Sequence, residues 1–470
     1  MSNNSPTATA NPTPPHVAVV GAGWAGLAAA SELKHRGFRV TVYDASHTPG
    51  GRARQVNDPM LGTIDNGQHL MVGAYQDTLA LIARDVPEPD QQQGFTRFPL
   101  RLMTTDRAFV LGAPSWLPAT IRPAAALWMA KGLSFQDKRM ASQLLMGLKA
   151  SGADAEGEQT VGQWLRGAKQ SQRLIDFLWE PLCLATLNTA IDEASAALFQ
   201  RVLTDTLLNQ AAGATDLLIP ATDLSSLWPS HVCKEVNTRF GQTVRSVAEV
   251  AGGVRVEDDR YDGCVIATPA HGVAKLFDEA VQQQFPRIFS ALSAFEYRPI
   301  TTVYVDLKAP FSLDAALLMM RHDLAHETQP APGQWVFDRN RCQPETATQT
   351  GRLAFVVSDS TDVLSQNPEA LAEQLVNQLA REMKTRLSAQ GAAGAPLTIK
   401  AARCFHEKRA TFAAKPRLHR PSNETPWRQI TFAGDWTDTG YPSVLEGAVK
   451  SGLRAADCLI RQLPKKSRAS

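Results

Sequence analysis

Residues His16 to Asp44, HVAVVGAGWAGLAAASELKHRGFRVTVYD, constrain the fold more than any other stretch. Val17 to Val20 form a short apolar run suited to a buried parallel strand, and Gly21, Gly23 and Gly26 follow it at GxGxxG spacing. Gly21 permits a tight turn, Gly23 lets the backbone approach a pyrophosphate, and Gly26 lets the next helix lie close on the strand. The helix starts at this turn, so its free N–H groups and positive dipole end face the phosphates. Ala22, Trp24 and Ala25 therefore join the glycines as candidate cofactor contacts. Gly37 is placed to end the helix, and a second strand, Arg39 to Tyr43, ends on Asp44. An acid roughly twenty positions beyond the glycines holds the ribose hydroxyls of an adenosine. Asp44 and its neighbour Ala45 complete a predicted dinucleotide site. A glycine turn alone is a weak signal, but here strand, helix and acidic strand end agree.

The chain's 470 residues suffice for two or three domains, and its 44% hydrophobic and 20% charged content is that of a globular protein. A net charge of +2 without a basic stripe disfavours nucleic acid as a partner. Cys183, Cys233, Cys264, Cys342, Cys404 and Cys458 include no CxxC pair, which argues against a metal site and for the reducing cytoplasm. Residues 1–14 read as a disordered tail and 463–470 as a basic, solvated one. No run of about eighteen apolar residues predicts a membrane span. Peripheral contact with the inner membrane stays open, because Phe109 to Leu133 is rich in bulky apolar residues and broken by prolines. The plainer alternative is a lid packed on the core.

After the second strand comes TPGGRARQV, where Gly50 and Gly51 suggest backbone against a ligand and Arg52 offers charge-assisted bonds to phosphate. LGTIDNGQH follows. This order of GxGxxG, acidic strand end, GGR and D-x-G turn resembles FAD-binding enzymes of the amine oxidase and phytoene desaturase superfamily. The resemblance implies that GGR lies along the cofactor and that the turn brings Gly67, Gln68 and His69 to the flavin. It also implies that Val244 meets adenine, that the strand Cys264 to Thr268 returns to the nucleotide domain, and that Gly434 and Asp435 bind the cofactor's sugar chain. A last helix from about Val444, starting beside Tyr441 and Ser443, would turn its positive end to the flavin.

Between these segments, Tyr75 to about Thr215 reads as a mainly helical insertion, with helices at Ala141 to Lys149 and Ser171 to Trp179, the second broken by Pro181. Asn188 and Thr189 read as a cap or turn. A helix is expected after Asp223, and strands at Thr243 to Val250, Val254 to Glu257, Thr302 to Asp306, Gln334 to Asp338, Leu353 to Ser358 and Leu397 to Phe405. The helix with the stripe Leu371, Leu375, Leu379, Met383 and Leu387 ends at the loop AQGAAGAP. The expected class is α/β. A Rossmann-type, amine oxidase-like FAD domain (15–75, 215–275 and 425–462) carries an inserted α+β substrate domain (76–214 and 276–424).

Five stretches, DNGQH, PLCLATLNT, GQWVFDR, HEKRATF and AGDWTDTGYPSVLEGAVKSG, narrow the resemblance to the squalene-associated FAD-dependent desaturases, the hydroxysqualene dehydroxylases. It implies FAD as cofactor, an isoprenoid lipid, hydroxysqualene, as substrate, and a functional link to enzymes making squalene precursors; the electron donor is left open. Such chemistry needs an acid, for which His69, Asp223, Asp338 and Glu407 are candidates, with Tyr441 as a wall beside the flavin. For Glu407, Lys408 and Arg409 a structural ion-pair cluster is the alternative reading, and for His69 a hydrogen-bonded ring steadying the turn. Rival functions are an oxidative carotenoid-type desaturase, an amine oxidase, and a prenyl-binding escort. The intact glycines, Asp44 and Asp435 speak against the escort.

Overall fold

A computed structural model describes residues 14–88, 94–118, 120–151, 159–209, 211–321, 330–344, 347–384 and 397–463. The AQGAAGAP loop, Leu387, the basic segment beyond 463 and nearly all of the expected N-terminal tail lie outside them. The chain opens with β1 (His16–Val20), α1 (Trp24–His35) and β2 (Arg39–Asp44). A helical stretch follows, with α2 (Phe135–Ser151), α3 (Glu180–Leu187) and α4 (Ala196–Leu207). The strands β3 (Asn237–Phe240) and β4 (Gly263–Ile266) come next. A second set contains β5 (Tyr297–Leu307), β6 (Leu317–Met319), β7 (Trp335–Asp338), β8 (Arg352–Ser358), α5 (Pro368–Glu382) and β9 (Ile399–Phe412). The chain closes with β10 (Ile430–Phe432) and α6 (Leu445–Gln462).

The first sheet is parallel throughout, in the order β3-β2-β1-β4-β10, so both ends of the chain contribute strands to it. Side chains of β1 alternate between two layers. Val17 and Val19 pack with Leu27 and Leu33 of α1 and Val449 and Leu459 of α6, whereas Ala18 and Val20 face Val254, Val256 and Tyr261 of a small antiparallel sheet. Parallel strands buried on both faces need such unbroken apolar runs.

The second sheet is antiparallel, in the order β6-β7-β8-β5-β9. Val303, Val305 and Val336 meet the Leu371–Leu375–Leu379 stripe of α5, while Tyr304, Trp335 and Phe337 turn to the opposite face and join the core of the helical region. Trp335, Phe337 and Phe412 are thus core residues.

Three expectations are corrected. The outermost parallel strand is Asn237–Phe240, ahead of the predicted Thr243 to Val250, of which only Val247–Val250 is strand, in the small sheet. Pro181 does not break its helix: a π-turn at Ile175–Trp179 precedes α3, where the missing N–H falls in the first turn. The insertion also contains strands, among them Phe95–Phe98 paired with Leu217–Pro220. Asn188 caps α3 in the left-handed region at φ +48° and donates to Pro299 O and Thr411 Oγ1, tying the helices to the second sheet. Among the described residues no helix is long and apolar enough to cross a membrane, and no cluster of side chains suits a metal.

Candidate active site

The glycines of the first turn differ in what they spare. A Cβ on Gly21, whose φ is +117°, would lie 2.6 Å from Ala267 O, and one on Gly26 would lie 1.9 Å from Gly21 O. These two serve the protein's own packing. Gly23 does not, because its nearest neighbour would be Gly51 Cα at an ordinary 3.9 Å. The space beside it, across from the GGR glycine, is open to a ligand. Gly23 is also the N-cap of α1 and brings no side chain to the free N–H groups of that helix. Asp44 borders the turn, its carboxylate accepting from Ala22 N at 2.6 Å and Ser46 N at 2.7 Å; Ala45 beside it is exposed.

The other end of the chain meets this cradle. Arg52 Nη2 lies 2.6 Å from Asp435 Oδ1, and Ser443 Oγ donates to the same carboxylate. Burial opposes the charge on Asp435, but the guanidinium and hydroxyl overcome it and hold the carboxyl below its usual range. Val444 caps α6 without a side-chain hydrogen bond, so that helix start is also open. The two helices touch closely: a Cβ on Gly452 of α6 would lie 2.1 Å from Ala25 O. Arg420, unnoticed in the sequence, is buried beneath the motif and donates to Asp435 O and Tyr441 O, both at 2.6 Å. It holds the loop that presents Asp435. A cavity of about 470 Å³ is lined by Arg52, Pro269, Tyr297, Glu407, Phe412 and Asp435 among others.

On the D-x-G turn, Gly67 sits beside Thr302, and Gln68 N donates to Thr302 Oγ1 at 3.3 Å. His69 Nδ1 and Thr268 Oγ1 are buried without a hydrogen-bond partner among the described residues. Open glycine space, two uncapped helix starts and orphaned polar atoms all fit a bound dinucleotide. Val244 lies on the loop after β3, half-buried against the core.

The candidate acids are spread out. Burial pushes His69 down to about 4, so its ring is neutral at physiological pH. Asp338 is spent on structure, accepting from Ser312 Oγ at 2.8 Å and Leu313 N at 2.9 Å. Glu407 lines the cavity on β9, and the sheet order sets β8 and β5 between it and Asp338 on β7, roughly 14 Å by strand spacing. Asp223 caps the helix Leu224–Leu227 through Ser226 N at 2.8 Å. Tyr441 lies under the Arg201 guanidinium, 4.8 Å from the ring centre, and its hydroxyl donates to Asp205; burial and that carboxylate keep it protonated.

The residue that sequence reasoning passed over as an acid is Asp65. Its carboxylate accepts from Leu224 N at 2.8 Å, and Tyr304 Oη donates to its backbone carbonyl at 3.1 Å. Burial first, then the nearby Asp223 charge, raise it to about 7 against the opposing pull of Leu224 N and Arg339. Asp65 therefore holds its proton to a higher pH than an ordinary carboxyl does.

A model of the flavin containing amine oxidoreductase family matches residues 24–460. The chain belongs to that family. Its cofactor is FAD and it is an oxidoreductase. It is 28% identical to the hydroxysqualene dehydroxylase of Rhodopseudomonas palustris over 94% of this chain and 98% of that protein. A second hydroxysqualene dehydroxylase, from Sinorhizobium fredii, is also 28% identical, over 96% and 99%. A probable zeta-carotene desaturase of Synechococcus elongatus is 23% identical over 94% and 98%. Among solved structures, cyclohexylamine oxidase from Brevibacterium oxydans superposes with a TM-score of 0.68 at 16% identity, covering 96% of this chain and all of that one, which bears on fold alone. For this family member, Gly21 to Gly26, Asp44, Arg52, Asp435 and the start of α6 are the residues that would hold the cofactor.

Proposed function

We propose that this protein removes the hydroxyl of hydroxysqualene reductively, giving squalene and water. Gly23, Arg52, Asp435 and the start of α6 would hold FAD, which when reduced would supply the hydride that replaces the hydroxyl. The balance requires one further proton, which leaves with the hydroxyl as water. Asp65 is the donor this reading favours, since its carboxyl, raised to about 7, holds a proton to higher pH than ordinary carboxyls do, whereas the His69 ring is neutral. The nearly full-length similarity to hydroxysqualene dehydroxylases is the observation that carries the reading, and the raised Asp65 carboxyl is consistent with it. Pro269, Tyr297, Phe412 and Trp436 are the apolar and aromatic side chains of the cavity lining against which an isoprenoid chain would lie. Peripheral attachment to a membrane, where such a substrate resides, belongs to the same reading.

Anaerobic incubation of the reduced holoenzyme with hydroxysqualene, followed by mass spectrometry of the extracted lipid, tests it. Squalene is the expected product; unchanged hydroxysqualene, or a more unsaturated polyene, would overturn it.

A further inference from the structure

The exposed apolar residues are not scattered. Seven large hydrophobic side chains are exposed among the described residues, and six of them, Trp116, Ile121, Trp128, Met129, Phe135 and Met146, lie within one short stretch of chain. Trp116 is 79% exposed and Phe135 73%. A soluble surface rarely gathers so many.

Local structure explains how they come to share a face. In the helix Arg122–Met129, helical spacing places Ile121, Ala124 and Trp128 on the outer side with Ala125 and Met129 beside them, while Ala126 and Leu127 enter the core. Trp128 rests against Phe135, with ring centres 5.5 Å apart, which joins this helix to the start of α2. Met146 follows Phe135 on the same side of α2, three turns on. Arg122 Nη2 donates to Ser115 O and Leu117 O, both at 2.9 Å, and so fixes the loop that carries Trp116. The surface is thus held in place before any partner arrives.

Its charges are one-sided. Residues 114–151 contain Lys131, Lys138, Arg139 and Lys149, and Arg122, whose guanidinium lies 3.9 Å from the Asp216 carboxylate, against a single acid of their own, Asp137, although the whole chain is close to neutral at +2. Asp137 is buried and its carboxylate is turned onto Ser134 and Ser171. Lys138 Nζ is fixed at 2.9 Å from Trp128 O, so a cation stands beside the exposed indole. Indoles and a phenyl ring at the centre, with lysines and arginines at the rim, match the headgroup region of an anionic bilayer. A second copy fits poorly, because pairing the same patch would set basic rims against each other.

We propose that this face docks the protein on an anionic lipid surface, with Trp116, Trp128 and Phe135 entering the headgroup layer. The inference rests on the isoprenoid reading for its purpose, since a docked enzyme takes its substrate from the lipid, but not for its geometry.

The test is co-sedimentation of the holoenzyme with vesicles of phosphatidylcholine containing phosphatidylglycerol, and with vesicles of phosphatidylcholine alone, while tryptophan fluorescence is followed. Binding to the anionic vesicles with a blue shift, weakened by salt, is expected. A variant combining Trp116→Ser, Trp128→Ser and Phe135→Ser should bind at least about tenfold more weakly while keeping its flavin absorbance and its turnover of detergent-dispersed substrate. Wild-type protein left in the supernatant, or a variant that sediments equally, would overturn the proposal. So would a dimer that the three substitutions dissolve, without vesicle binding. Vesicle binding without squalene formation would refute the substrate reading and leave the docking face standing; the converse result would do the reverse.

Discussion

Asp65 is the residue where stability and function oppose each other. Its carboxyl titrates near 3.8 in an unfolded chain and at about 7 in the fold. The folded form therefore binds this proton more tightly, and the Asp65 contribution to stability falls as pH rises from about 4 to 7, by up to roughly 4 kcal/mol. Asp65→Asn keeps an acceptor for Leu224 N and has nothing to ionise. Urea unfolding at pH 8 should show the variant more stable than the parent, with little difference at pH 4. Turnover should fall about a hundredfold or more, and the parent's kcat/KM should decline above pH 7 as the proton is lost. A flat pH profile through that range would remove Asp65 from the reaction. Gly23 gives a second contrast. Gly23→Ala has room in the protein's own packing, so the apoprotein should keep its thermal midpoint while FAD affinity drops, as measured by flavin titration. In Gly26→Ala the added carbon would meet Gly21 O, and the fold itself should weaken by about 1–3 kcal/mol.

At the scale of elements, the contact between α1 and α6 carries the argument. Gly452→Ala would drive a methyl group into Ala25 O, separating the two helix starts that flank the cradle. A lower thermal midpoint together with released flavin is expected; normal flavin content would show that the two helices hold the cofactor independently. The same scale explains what could be read in the sequence. The β1-α1-β2 unit was legible because its periodicity, glycines and acid are all local. The strand Asn237–Phe240 was not, since three of the four residues of NTRF are polar and it gains its place by pairing with β2. The π-turn ahead of α3 likewise has no counterpart in the apolar periodicity of Ser171 to Trp179, which reads as a regular helix. Asp65 could be named as part of a motif, but its raised carboxyl depends on a segment 159 residues away. Arg420, whose partners are mostly backbone carbonyls, left no pattern to find.

At the scale of the molecule, strands from both ends of the chain lie in one parallel sheet, and Arg52 and Asp435 close the site between them. Asp435→Ala should deprive the Arg52 guanidinium of its carboxylate partner and purify nearly colourless; full flavin occupancy in that variant would contradict the role given to the carboxylate. Because FAD binds only the folded form, the thermal midpoint should rise with added FAD, the stabilisation being about 2.7 kcal/mol at a hundred times the dissociation constant. The central claim is that this two-ended site works in the reductive direction on an isoprenoid alcohol. Anaerobic titration of the photoreduced holoenzyme with hydroxysqualene, followed by flavin absorbance, tests it most directly. One equivalent should restore the oxidised spectrum; a flavin that stays reduced through excess substrate would contradict the account.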